Sequence, residues 1–157
     1  RIASGNPAVG YEANNGRIEA VLVDRRGREV PHAAEEFILA TGGLVGKGID
    51  SDRDSVTEPI FDCHVPHPDD RYDWSEPEAF GSHEFARFGV VPDDDLRPTE
   101  GVGDAEFENL RAAGGVLGGA DTAREKSAAG VSLATGAYAG RRAGESATRR
   151  NAEEATR

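Results

Sequence analysis

A short apolar run, Glu36-Phe37-Ile38-Leu39-Ala40-Thr41, ends abruptly on Gly42-Gly43. An unbroken run of this length predicts a strand buried on both faces, as in a parallel sheet. A parallel sheet in turn requires helical crossovers, which restricts the chain to an α/β architecture. The sequence before the run reads as antiparallel β structure. Gly10-Tyr11-Glu12-Ala13 and Ile18-Glu19-Ala20-Val21-Leu22-Val23 flank Asn14-Asn15-Gly16, and Asn-Gly is a strong hairpin signal because both residues tolerate positive φ. Arg25-Arg26-Gly27-Arg28 predicts a second turn into Glu29-Val30.

Near the other end, Phe107–Ala113 leads into a second glycine cluster, Gly114-Gly115-Val116-Leu117-Gly118-Gly119-Ala120-Asp121. Residues 122–145 then read as one helix of small residues. Glycine in a helix interior costs roughly 1 kcal/mol, so Gly130, Gly136 and Gly140 call for close approach of another backbone or a ligand. The expected assembly is a mixed sheet that carries the hairpin, the strand to Thr41 and a final strand–helix unit. Residues 1–145 are expected to form one compact unit, and 146–157 a polar helical or disordered tail. Between the ordered parts, residues 47–103 hold most of the prolines and three of the four histidines. Ser51–Phe61 predicts a loop leading into a strand. Asp73-Trp74-Ser75-Glu76-Pro77 predicts a short helix with Ser75 as N-cap, continuing through 82–88 until Gly89. So long a weakly periodic stretch points to a functional surface or to contacts with another molecule.

Two glycine clusters, each following a strand, let backbone come close to a flat or phosphorylated ligand, and a helix N-terminus beyond supplies N–H donors. Asp121 is placed to cap that helix or to accept a bond from a ligand hydroxyl. Other constellations are weaker. Cys63-His64-x-x-His67 offers soft and imidazole ligands, but Pro66 and Pro68 prevent a helix from presenting both histidines together, so a surface loop is preferred and no metal is expected. Nothing nearby in sequence activates Cys63 as a nucleophile. Arg53, Arg97 and Arg111 are candidates for gripping a phosphate through the guanidinium fork, with Arg97 preferred as a substrate-binding residue.

The net charge of −11 over 157 residues argues against a nucleic-acid platform. Lys47 and Lys126 are the only lysines among 18 cationic residues. An acidic, lysine-poor surface suits high salt, which screens self-repulsion, and points to a halophilic, archaeal source. The mean hydropathy of −0.56 and the lack of a long apolar run argue against a membrane-spanning segment. Methionine is missing, and the chain opens within polar, strand-like sequence, as a fragment of a longer polypeptide would.

The succession of the hairpin, Phe37–Gly43, Glu58-Pro59-Ile60-Phe61, Phe88-Gly89-Val90 with Leu96-Arg97-Pro98, and Glu108-Asn109-Leu110 with Gly115–Asp121 resembles one family over most of residues 10 to 145. It is similar to the carboxyl-terminal part of the B subunit of the anaerobic glycerol-3-phosphate dehydrogenases, a group related to FAD/NAD(P)-binding flavoproteins. The resemblance implies a partial Rossmann-like fold, α/β in class, and FAD or FMN as cofactor. It implies cofactor contacts at Thr41, Gly42, Gly43, Gly118, Gly119 and Asp121, with Gly130 and Val131 near the flavin ring. It further implies oxidation of sn-glycerol 3-phosphate to dihydroxyacetone phosphate, with electrons passing through the A and C partner subunits to a quinone. The location implied is the cytoplasm, peripheral to the inner face of the membrane through a partner. The alternatives are a non-catalytic scaffold subunit with a relic cofactor site and a related flavoprotein with another substrate. The sequence departs from the flavoprotein pattern in one respect: no strand–G-x-G-x-x-G–helix element, the ADP-binding βαβ unit, is present. The isolated fragment is therefore expected to bind flavin weakly or not at all, and to be inactive.

Overall fold

The computed structural model describes residues 2–101 and 103–156. Arg1 and Arg157, the outer limits of the expected compact unit and tail, and Val102 lie outside the described residues. The chain begins with an antiparallel meander of β1 (Ala8–Asn14), β2 (Arg17–Asp24) and β3 (Glu29–Ala33). Asn15 and Gly16, at φ 50° and 73°, form the first turn as the Asn-Gly signal predicts. In the second, Arg26 and Gly27 carry the positive φ values and Asp24 Oδ1 accepts from the Gly27 N–H at 2.7 Å.

β4 (Phe37–Leu39) pairs in parallel with β9 (Leu110–Ala112), so the apolar run and the strand before the second glycine cluster are neighbours. One expectation fails here. Leu39 is buried, but Ile38, on the opposite face of the strand, is 43% exposed, so one face of β4 is left largely open. Nor is there one mixed sheet: the meander and the β4–β9 pair are separate. Asn109 joins them instead. Its fully buried side chain accepts from the Ile18 N–H and donates to the Ile18 and Glu35 carbonyls, each at 2.9 Å. Asn109→Ala strands three backbone polar groups, and buried orphaned groups cost about 1–3 kcal/mol each when water cannot reach them. Partial hydration should limit the loss to about 2 kcal/mol, read from the urea midpoint of unfolding at constant m-value.

The middle of the chain forms short pieces. β5 (Asp50–Ser51) and β6 (Val56–Thr57) make a small hairpin where a plain loop was expected, its turn tied by Asp52 Oδ1 to the N–H groups of Asp54 and Ser55. From Val56 to Val65 burial then alternates: Val56, Glu58, Phe61, Cys63 and Val65 are covered while Thr57, Pro59, Asp62 and His64 are open. The helix expected from Ser75 is replaced by two 3-10 turns, Arg71–Trp74 and Glu84–Arg87. Asp70 caps the first by accepting from the Tyr72 N–H, so Ser75 follows that turn rather than starting a helix. β7 (Val91–Pro92) and β8 (Pro98–Thr99) form a further hairpin. The core gathers around Ile18, Leu39, Phe61, Val90, Leu110 and Val116, with Tyr11 and Phe107 edge to face at 5.3 Å beside Phe61.

The terminal helix α1 runs from Ala128 to Glu154, not from 122 to 145. Lys126, at φ 56°, breaks the helical path, and residues 121–126 form turns instead. At the far end the polar segment continues the helix, and Asn151 reaches Glu35. The space beside Gly130, Gly136, Gly140 and Gly144 is open, so the close approach expected of these glycines is not made among the described residues.

Candidate functional site

Both glycine clusters lie just beyond the carboxyl ends of β4 and β9, and parallel pairing brings them together. A Cβ on Gly43 would stand 2.6 Å from the Gly115 carbonyl oxygen, so the two backbones touch where neither residue has a side chain. A second contact of the same kind joins Gly89 to Gly118. Val90 donates to the Val116 carbonyl, Gly118 to Val90 and Gly119 to Arg87, which fastens the second glycine cluster to the 87–90 segment. Gly89, read from sequence as a helix stop, is therefore a packing glycine.

Between these segments lies a cleft of about 230 Å³, lined on one side by Gly43 and Leu44, on another by Phe85 and Phe88, and on the third by Gly115 and Asp121. Asp121 is 7% exposed. Its Oδ1 accepts from the Arg124 N–H at 3.0 Å and caps the turn, while Oδ2 has no hydrogen-bond partner among the described residues. Thr41, just upstream, holds a buried hydroxyl without a partner. A neighbouring cavity of about 450 Å³ shares Leu44, Val45, Phe85 and Phe88 and reaches Trp74. Sequence reasoning missed Leu44 and Phe85, because nothing local distinguishes them from ordinary apolar residues.

Of the sequence-derived cofactor residues, Gly43 and Asp121 line the cleft, and Thr41, Gly42, Gly118 and Gly119 belong to the segments that shape it. Gly119 has φ 92° with open space beside it, a conformation that suits glycine and leaves room for a ligand backbone contact. Gly130 and Val131 sit in the first turn of α1 and do not line the cleft. Arg97 lies elsewhere. Its Nε donates to Asp93 at 2.8 Å and its Nη2 is 2.7 Å from the same carboxylate. Arg53 is exposed in the β5–β6 turn, whereas Arg111 is buried beside Glu36.

The fit of a flavin dinucleotide to this cleft can be judged from its donors. A carboxylate oxygen on Asp121 without a partner among the described residues and a glycine-lined wall suit the hydroxyls and flat surfaces of such a group, whereas the Thr41 hydroxyl is buried beside Gly48 and does not line the cleft. The cleft volume accommodates only part of it.

Cys63, His64 and His67 do not converge. Cys63 is buried, and burial first and the nearby Glu106, Glu58 and Asp62 charges second push its thiol well above the ordinary range. Among the described residues no group of three or more His, Cys, Asp or Glu side chains is placed to hold a metal. No helix of the described residues is long and apolar enough to cross a membrane.

Next to Cys63, burial raises the Glu58 pKa against the lowering effect of the Phe61, Ile60 and Cys63 N–H groups, and burial likewise raises that of Glu106. A carboxyl whose folded pKa lies above its unfolded value binds its proton more tightly when folded. Its stabilising contribution is complete below the unfolded pKa and is lost as pH rises through the folded one. Urea midpoints should accordingly fall as pH is raised from about 4.5, and Glu58→Gln should flatten that slope.

Comparison with known proteins gives a consistent result. The model of the FAD binding domain family matches residues 7–131. The chain is 57% identical over 145 residues, 92% of its length, to a protein of Halobacterium salinarum named as the B subunit of a probable anaerobic glycerol-3-phosphate dehydrogenase. It is 34% identical over 137 residues, 87% of its length, to a protein of Yersinia pseudotuberculosis named as the B subunit of an anaerobic glycerol-3-phosphate dehydrogenase. These matches cover 34% and 32% of the two relatives, so the chain spans about a third of their length. No solved structure matches the chain significantly.

Proposed function

This chain belongs to the FAD binding domain family, and we propose that the cleft between its two glycine clusters is one part of an FAD site within an anaerobic glycerol-3-phosphate dehydrogenase. The contact of Gly43 with Gly115 carries this reading, because it places two strand ends and Asp121 around one opening. Asp121 Oδ2 would accept from a hydroxyl of the dinucleotide. The bound flavin, when present, supplies the hydride chemistry, and the protein supplies orientation and electrostatics. Gly130 and Val131 would approach the ring only from the first turn of α1.

The fold is α/β, and we read it as the carboxyl-terminal portion of a Rossmann-like flavoprotein whose ADP-binding βαβ unit lies elsewhere in the polypeptide. The relatives' names support glycerol 3-phosphate as substrate and the presence of other chains as partners, which we take to be A and C subunits. Oxidation to dihydroxyacetone phosphate, electron passage to a quinone and a peripheral place at the inner membrane face through a partner belong to the same proposal. Arg97 is the substrate-binding candidate. The charge balance and the haloarchaeal relative support a salt-adapted, cytoplasmic protein that does not bind nucleic acid.

The isolated chain should bind FAD weakly or not at all, since no phosphate-cradling G-x-G-x-x-G is present to hold the ADP part. Absorbance in the flavin bands after dialysis against excess FAD or FMN checks this. Stoichiometric, tight retention would contradict the divided site. A scaffold role is the second reading, favoured by Gly118, whose lack of a side chain the contact with Gly89 explains without any ligand. Loss of assembly with the partner chains, at unchanged flavin content, on altering Gly118 would select it. Turnover of sn-glycerol 3-phosphate by the assembled complex distinguishes this substrate from others.

A further inference from the structure

A polar cavity of about 320 Å³ opens at the amino ends of β4 and β9, the opposite end of the strand pair from the glycine cleft, with which it shares no lining residue. Five guanidinium groups line it: Arg17, Arg97, Arg111, Arg149 and Arg150. Such a gathering runs against the charge of the chain as a whole, −11. Carboxylates answer two of the five, Glu36 pairing with Arg111 and Asp93 with Arg97. Asp95 is held by Arg142, and Glu108 and Glu153 are exposed to solvent.

Arg17, Arg149 and Arg150 have no carboxylate within ion-pair distance among the described residues. Arg17 donates to the Glu35 carbonyl at 2.7 Å. Burial first and the Arg150 charge second lower the Arg17 pKa, against the raising effect of the Glu36, Glu108 and Glu35 charges. Arg111 adds an independent observation. It is 2% exposed, its Nη1 is paired with Glu36, its Nη2 donates to Ser146 at 2.9 Å, and its Nε–H is buried with no partner among the described residues. A buried donor left without an acceptor is costly unless something supplies one.

We propose that this cavity is a binding site for the phosphate group of a small anion, held between Arg17 and Arg150 over the buried Arg111. Guanidinium forks pair two phosphate oxygens at a time, and arginine is the residue suited to that geometry. The volume lies at the lower end of the range for small-molecule sites and exceeds what bare phosphate needs. A phosphate carried on a short organic chain therefore fills it better than the free ion. The cavity shares no lining residue with the flavin cleft, so either can fail alone, whereas Arg97 lines it and ties the inference to the substrate part of the proposed function.

Isothermal titration with inorganic phosphate and with propyl phosphate, at matched chloride concentration, tests the proposal. Saturable binding of at least one probe at one site per chain is expected, weakening roughly tenfold in Arg17→Gln and in Arg150→Gln. Tighter binding of propyl phosphate identifies an organic phosphate as the ligand class, and equal or tighter binding of inorganic phosphate identifies the free ion. Circular dichroism establishes that both variants, which change partly exposed side chains, remain folded. Failure of both probes to saturate overturns the proposal, and so does unchanged affinity in both folded variants.

Discussion

Gly89→Ala is expected to destabilise the chain by about 3 kcal/mol, the upper end of what overpacking costs, which lowers the thermal midpoint by about 6–12 °C at this chain length. The new methyl carbon would stand 2.5 Å from both the Val116 carbonyl oxygen and the Gly118 nitrogen. Neither neighbour is a flexible side chain. Both belong to backbone held in place by the Val90–Val116 and Gly118–Val90 hydrogen bonds, so relief requires parting the two segments. Phe88, which lines the cleft, would move with them. Gly136→Ala supplies the contrast. The space beside Gly136 is open, and alanine is the better helix former by roughly 1 kcal/mol, so that change should raise the midpoint. Equal effects of the two substitutions would show that Gly89 is not a packing glycine.

The second large effect is at the buried ion pair. Arg111→Met leaves Glu36 without its cation, in a site where that carboxylate side chain is only 9% exposed, and should cost about 3–5 kcal/mol. Glu36→Met, which strands the guanidinium, should cost a similar amount. Their combination should recover most of the loss, because a buried pair stabilises little more than an apolar pair of similar volume. The Arg111 hydrogen bond to Ser146 on α1 is lost wherever Arg111 is replaced, so the recovery falls short of the parent. Urea unfolding of all four proteins closes the cycle. Additive losses would mean that the two side chains do not act as a pair.

How much of this was readable in the sequence depended on how local each cause is. The Asn15-Gly16 turn and the presence of a strand in the apolar run were readable, since turn chemistry and an apolar run act over a few residues, although the strand stops at Leu39 rather than at Gly42-Gly43. The meeting of the two glycine clusters was anticipated only as a shared ligand role, and their physical contact through Gly43 and Gly115 depends on a pairing between strands some seventy residues apart. The start of α1 was misplaced by six residues because Lys126 adopts a left-handed conformation that nothing in its residue type demands. The link between the two separate sheets turns on one buried amide, Asn109, whose role depends on partners at Ile18 and Glu35. The alternation Phe61-x-Cys63-x-Val65 did carry a period-two signal, masked by flanking prolines and histidines. Asp121 was expected to cap the helix or meet a ligand, and it caps the turn before the helix and lines the cleft.

The most direct test of the cofactor site is the ratio of FAD to polypeptide in the assembled flavoprotein carrying Asp121→Asn. Asparagine can keep the Oδ1 cap on the Arg124 N–H but replaces the free Oδ2 acceptor with a donor. A retained fold with FAD content reduced several-fold is the expected result. FAD content equal to that of the parent, in a protein equally stable and equally assembled, would contradict the placement of the cofactor in this cleft.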